Sequence, residues 1–242
     1  MAARLKIEGD MAAGKFLSRT SRFSILAELG IEGGEGRVVD CHLPNSGRLA
    51  ELLVPKAPLI LRPADDPERR KTKFDVFAVA AGGKTVVVDS RAANMIAKEG
   101  FASGELSKFS GYSLVRTEPP FGRSRLDFLL AGERPAIVEV KSCTLVRDGV
   151  ALFPDAPTKR GRRHLQELLR AQHEGYRACV LFVVMREDAA ALAPNDETDP
   201  AFGAALREAA AGGVEAIAIV ARYKDGWLEV AGEVPVELFS PK

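Results

Sequence analysis

Three residues near the middle of the chain, Asp127, Glu139 and Lys141, have types and spacing that could hold a divalent cation and act on a phosphate. They lie in FGRSRLDFLLAGERPAIVEVKSCTL, residues 121–145. Two apolar runs, Ser124–Leu130 and Ala136–Cys143, flank AGERP, where Gly132 and Pro135 are turn formers. The pattern predicts a β-hairpin. Strand side chains alternate faces, so Glu139 and Lys141 point the same way. With the hairpin centred on Glu133, Asp127 stands opposite Glu139, their Cβ atoms about 4.5–5.5 Å apart. Leu126, Phe128, Leu130, Val138 and Val140 then share the other face as core. A slip of one residue would separate the two acids. Facing carboxylates repel each other, and buried ones need a partner, a proton or a metal. Mg²⁺ or Mn²⁺ would resolve the conflict, because oxygen ligands suit hard cations. Lys141 could hold a phosphate oxygen or tune an attacking water. The rival is a surface hairpin with a solvated polar face and a Glu139–Lys141 ion pair.

Other residues could join such a site. Glu118 could add a ligand or be a solvated strand end. Asp155 could reach the metal or hold its loop by accepting backbone N–H bonds. Thr158, Lys159, Arg160, Arg162 and Arg163 surround an expected helix start, where free N–H groups and the dipole favour anions. His164, one turn on, could touch phosphate or hydrogen-bond an acidic ligand. Arg69, Arg70, Lys71 and Lys73 form a second basic cluster suited to a nucleic-acid backbone. Asn45, Ser46, Gly47 and Arg48 form a polar turn that could also take phosphate. GGEG (33–36) lacks the Lys-Ser/Thr of a phosphate loop, and no nucleophile-elbow pattern occurs.

The elements that must carry these residues fall into two groups. Short β-rich runs at 16–17, 22–29, 37–43, 58–62, 74–80 and 85–88 alternate with Pro, Gly and Asp turns, as in a small barrel. From 89 the pattern changes. Ser90 is placed to cap a helix to about Glu99, and Thr158 one to about Gly175. Arg177–Val184 reads as a strand covered on both faces. Pro200–Ala211 reads as a helix stopped by Gly212-Gly213. Val214–Val220, Trp227–Val230 and Val234–Phe239 are closing strands, and Ala189–Asp199 is expected to be flexible. This predicts an α/β (α+β) chain: a barrel over 1–88 and a mixed sheet flanked by helices over 89–242.

The chain has 242 residues, 46% hydrophobic and 28% charged, with a net charge of +1. That suits a soluble globular protein of one large or two modest domains. A net charge so near zero means that any polyanion surface must come from clustering. No apolar run is long enough to span a membrane, and MAARLKIEGDMAAGK lacks the apolar core of a secretory signal. Cys41, Cys143 and Cys179 have no metal-site or disulfide spacing, which predicts reduced thiols and a cytoplasmic location.

Asp, a gap, then Glu-x-Lys on a hairpin resembles the active-site pattern of the PD-(D/E)XK nucleases. The run FPDAPTKRGRRHLQEL (153–168), with SRLDF (124–128), VEVKSCTL (138–145) and HLPNSGR (42–48), resembles the sugar fermentation stimulation protein A (SfsA) family from about Phe16 to Phe239. The resemblance implies an N-terminal OB-like barrel, a C-terminal PD-(D/E)XK nuclease-like domain and sequence-independent DNA binding. Thr72 and Val76 stand where larger aromatics are expected, and Asp89-Ser90 where Asn-Thr is usual. With few barrel aromatics, binding is expected to be electrostatic rather than by stacking. Two functions follow as expectations: a Mg²⁺- or Mn²⁺-dependent deoxyribonuclease, or a non-catalytic DNA-binding regulator linked to sugar metabolism. RNA is not excluded as a ligand.

Overall fold

The structure, a computed structural model, describes residues 3–30, 36–66 and 68–239. Most of the GGEG segment lies outside the described residues.

Five strands, Ala12–Ser21, Ser24–Leu29, Arg37–His42, Pro58–Pro63 and Phe74–Ala81, form a barrel. The first pairs antiparallel with the second and fourth, the second with the third, and the fourth with the fifth. The third then meets the fifth in parallel, through Cys41–Phe74 and His42–Asp75. This closure is that of an OB-type barrel and removes the sheet edges. Lys84–Val87 pairs antiparallel with the fifth strand. Inside pack Phe16, Ile25, Leu61, Val76 and Val79. Phe77 and Ala78, on the same strand as Val76 and Val79, join a second core shared with the rest of the chain. Phe77 meets Tyr223 edge to face at 5.0 Å. A strand apolar on both faces thus couples the barrel to the remaining fold.

The larger sheet runs in the order Arg4–Lys6, Trp227–Val234, Glu215–Lys224, Arg177–Val184, Ala136–Cys143, Phe128–Ala131, Ser113–Thr117. Its three central strands are parallel, and the outer pairs are antiparallel. Helix α1 (Arg91–Ser103) covers one face with Ala93, Ile96 and Phe101. Helices α2 (Lys159–His173) and α3 (Pro200–Ala211) cover the other with Leu165, Leu168 and Phe202. The mixed sheet between helices is the arrangement expected from the run of patterns after residue 89.

Several local expectations need correction. Arg4–Lys6 lies within the 1–88 span assigned to the barrel, yet it pairs with Trp227–Val234. Ser124–Leu130 is not one strand: Ser124–Arg125 folds back on Pro120–Phe121, and only Phe128–Ala131 joins the large sheet, between Ala136–Cys143 and Ser113–Thr117. Leu126 therefore leaves the face of Phe128 and packs in the core under α2. Ser90 does not cap α1 with its hydroxyl, which donates to the Pro44 carbonyl at 2.7 Å. That helix runs four residues past Glu99 and stops at Gly104, whose φ of 70° favours glycine. Ala189–Asp199 is ordered by Ala191–Pro194, a strand parallel to Val150–Phe153 whose apolar side chains are largely buried. The strand from Trp227 runs on to Val234, and in place of the expected Val234–Phe239 strand there is only an isolated bridge from Val236 to Leu192.

Candidate functional site

The hairpin register is the expected one. Phe128 faces Val138, Leu129 faces Ile137 and Leu130 faces Ala136, which brings Asp127 up to Glu139. Asp127 itself sits just before the strand, and its side chain takes over part of the ladder. Its Oδ2 accepts the Val140 N–H at 2.7 Å, and its Oδ1 accepts from Asn94 Nδ2 at 2.9 Å. Asn94 is on α1 and was not anticipated. The available signal was an Asn among alanines inside a helix, where its propensity is poor.

Glu139 is only 3% exposed. Its Oε1 accepts from Lys141 Nζ at 2.5 Å and from the His164 Nδ1–H. On its other side, His164 Nε2 accepts from Arg160 Nε at 3.3 Å, so the two partners together select the Nδ1–H tautomer. The His164 position follows from α2, whose start is fixed by Thr158: its Oγ1 accepts the Gly161 N–H at 2.9 Å. Glu139 Oε2 is buried and has no hydrogen-bond partner, as is Ser142 Oγ.

Asp127, Glu139, Lys141, Asn94, Ser142 and Arg160 line one cavity of about 280 Å³, with His164 buried behind Glu139. Asp127, Glu139 and Lys141 form one wall, Thr158, Arg160 and Gly161 the start of α2, and Arg22 with Asn45–Gly47 the barrel side. Asp155 also lines it and holds the barrel turn, its Oδ2 accepting the Leu49 N–H at 3.2 Å. A Cβ at residue 47 would overlap the Asp155 carboxylate, so the close approach requires Gly47. The polar turn is structural as well: Asn45 receives Gly47 N–H at 2.7 Å and donates to Val88 O at 2.8 Å.

The two acids differ electrically. Burial and the nearby Glu139 charge push the Asp127 carboxyl up to about 6, against smaller opposing effects from Val140 N–H, Lys141 and Asn94. Burial also pushes Glu139 up, but Lys141 and His164 outweigh it and hold the carboxyl below its ordinary value. Among the described residues no group of three or more His, Cys, Asp or Glu side chains could hold a metal ion. A hard cation bound by one or two carboxylates, with water and phosphate oxygens completing its shell, needs no such group. The partnerless oxygen of Glu139 beside the Asp127 carboxyl fits that kind of ion.

The raised carboxyl makes a prediction. Folded Asp127 holds its proton more tightly than unfolded Asp127, so stability falls as pH rises from about 3.8 to about 6 and stays lower above it. Asp127→Asn, which keeps an acceptor for Val140 N–H, is expected to raise stability at pH 7 by about 1–3 kcal/mol. Denaturant midpoints measured from pH 4 to 8 should converge for the two proteins at the acid end. Parallel curves would remove the charge as the cause.

The remaining sequence candidates scatter. Glu118 is exposed, 3.9 Å from Arg125, and outside the cavity. Arg162 binds Asp199 at 2.9 Å, and Arg163 Nε donates to Ser124 Oγ at 3.2 Å. Arg70 is committed to Asp75 at 2.6 Å. Arg48, Arg69, Lys71, Lys73 and Lys159 have exposed side chains, Arg69 with Asp66 at 3.8 Å.

Residues 17–88 match the family described as the SfsA N-terminal OB domain, and residues 91–226 match the sugar fermentation stimulation protein RE domain. A sugar fermentation stimulation protein homolog from Moorella thermoacetica is 46% identical over 213 residues, covering 87% of this chain and 90% of the relative. One from Methanothermobacter thermautotrophicus is 45% identical over 205 residues, covering 84% and 83%. The solved structure of Pyrococcus furiosus SfsA in complex with Ca²⁺ is 28% identical, with a TM-score of 0.88 over 98% of this chain and 99% of that one.

Proposed function

The chain belongs to the SfsA family, and from that premise we propose that it binds nucleic acid, DNA first, and cleaves it by divalent-metal-dependent phosphodiester hydrolysis. One observation carries the reading: Glu139 is buried with one oxygen bonded by Lys141 and His164 and the other without a partner, on a cavity it shares with Asp127. Such an arrangement is costly to a fold that does not use it.

In this reading Asp127 and Glu139 hold Mg²⁺ or Mn²⁺; the Pyrococcus furiosus relative was solved with Ca²⁺, another hard cation. The ion, when bound, would polarise the phosphate and lower the pKa of a bound water. Lys141, at the cavity wall, stabilises charge that develops on the phosphate. His164 acts as a positioning residue, holding Glu139 Oε1 so that Oε2 faces the ion. Arg48, Arg69, Lys71, Lys73, Lys159 and Arg163 supply backbone contacts without reading bases. The chain divides at about 88/89 into a binding barrel and a catalytic domain. With three buried free thiols, the reading places this activity in the cytoplasm.

The test is incubation with linear and circular, single- and double-stranded DNA in Mg²⁺, Mn²⁺ or EDTA, beside Lys141→Ala. Cleavage that requires metal and is lost in the variant, with binding retained, is expected. DNA that is bound by both proteins and never cut would leave a non-catalytic binding protein instead.

A further inference from the structure

The hairpin joining the first two barrel strands closes with Ser21 paired to Ser24, so Arg22 and Phe23 form its two-residue tip. Such tips favour Asn, Asp and Gly. Here the second position is a phenylalanine, 44% exposed. Its ring belongs to none of the three apolar cores among the described residues.

The backbone beneath that ring is fixed. Phe23 N–H donates to Ser21 Oγ at 3.2 Å, and Phe23 O accepts Leu43 N–H at 2.9 Å and pairs with His42 Nδ1 at 3.0 Å. Arg19 donates to Arg22 O at 2.7 Å and to Gly47 O at 2.8 Å, joining the tip to the turn that walls the cavity. Arg22 lines the cavity, with Nε 3.3 Å from Ser46 O and Cζ 5.5 Å from the Phe23 ring centre. Phe23 follows one residue on, about 3.8 Å along the chain. A half-exposed aromatic on a fixed backbone therefore stands beside a cation that lines the same cavity as the acids.

We infer that Phe23 is a stacking platform for an unpaired base whose neighbouring phosphate enters the cavity past Arg22, so that the substrate is a single-stranded nucleic acid or a single-stranded end. This rests on the cavity being the nucleic-acid site. An anionic polymer suits Arg22 and Arg160 on the cavity wall beside the proposed ion site, and its planar bases suit the ring. A base inside a duplex has both faces covered by its neighbours and none to offer. Phe23 adds one stacking contact to a surface otherwise expected to bind mainly by charge.

The experiment compares a fluorescent oligothymidylate with a fluorescent closed dumbbell duplex, both in EDTA, on the unaltered protein, Phe23→Ala and Phe23→Trp. Phe23→Ala is expected to weaken single-strand binding about 5- to 150-fold and to leave the dumbbell affinity unchanged. Phe23→Trp should restore it, with indole emission quenched by the strand beyond any change from Trp227, the only native tryptophan. Unchanged single-strand affinity in Phe23→Ala, or an equal loss on both ligands, overturns the platform. If Glu139→Gln still abolishes cleavage in that case, the cavity reading stands without it. If Phe23→Ala loses single-strand binding but nothing is ever cut, the platform stands and the cleavage reading falls. A protein that binds neither ligand overturns both.

Discussion

Glu139→Gln is expected to lower metal-dependent cleavage on the order of 10³-fold and, at pH 7, to lower the stability of the protein as well. Both effects come from the same charge. Gln retains an acceptor for the His164 N–H, so the packing around α2 survives. It places a neutral amide where the partnerless Oε2 now lies, and a cation loses a formal ligand there. Lys141, 12% exposed in its side chain, is left without its 2.5 Å counterion. Removing one member of a buried pair costs about 3–5 kcal/mol, and the cavity beside Lys141 moves the expected loss toward the lower end. The pH dependence has a definite sign. Folded Glu139 has a depressed pKa, so its contribution is present above the unfolded value and lost as pH falls through the folded one. Asp127 behaves in the opposite sense, losing stability as pH rises toward about 6. At pH 7, Asp127→Asn should therefore melt higher than the parent and Glu139→Gln lower, although each removes one acid from the same cavity. Calorimetric scans in EDTA check this, because no ion then obscures the comparison. Shifts of the same sign in both variants would rule out the charge arrangement described here.

The legible parts of this chain were those governed by local rules. The hairpin register follows from alternation and turn chemistry, and it brought Asp127 to Glu139 as read. The start of α2 was legible because Thr158 is a good cap and Gly161 gives its N–H to it. Ala136–Cys143, Arg177–Val184 and Pro200–Ala211 were bounded by turn residues and found at those bounds. What escaped depends on groups far apart in sequence. Asn94 reaches Asp127 across 33 residues, and Arg22 enters the cavity only because the barrel turn packs on Asp155. Arg70 looked like a ligand-binding residue because it stands in a basic run, but its guanidinium is bound to Asp75. Asp89, noted only as a variation at a helix start, is 1% exposed and binds Arg62 at 3.1 Å and Arg91 at 2.7 Å. A charge run says nothing about which members find buried partners.

Asp75→Ala should be among the most destabilising single changes in the barrel, and it should also disturb the distant cavity. Asp75 is 3% exposed and accepts from Arg70 and Arg91, each at 2.6 Å, with Arg62 at 3.9 Å. Burial pushes its carboxyl up, but the Arg70 and Arg91 hydrogen bonds outweigh that and hold it below its ordinary value. Truncation leaves three guanidinium groups against Asp89 alone. The expected loss is about 3–5 kcal/mol, or roughly 10 °C in melting temperature for a chain of this size. Because the folded pKa is depressed, this contribution holds above the unfolded value and disappears as pH falls through the folded one. Asp75 is buried but Arg70 and Arg91 are 32% and 46% exposed, so salt that screens their mutual repulsion should recover part of the loss. The second consequence follows from α1. Arg91 begins that helix, and Asn94, one turn later, donates to Asp127. Arg91 also bonds Asp89 through its backbone N, Nε and Nη2, and Asp75 ties that pair to the fifth barrel strand; with the tie lost, Asn94 loosens and the acid pair's hold on a cation weakens. Divalent-ion binding measured by titration calorimetry on folded Asp75→Ala should then fall, while Arg70→Ala, which leaves Arg91 attached, should keep it. Equal ion affinity in all three proteins would confine the network to stability.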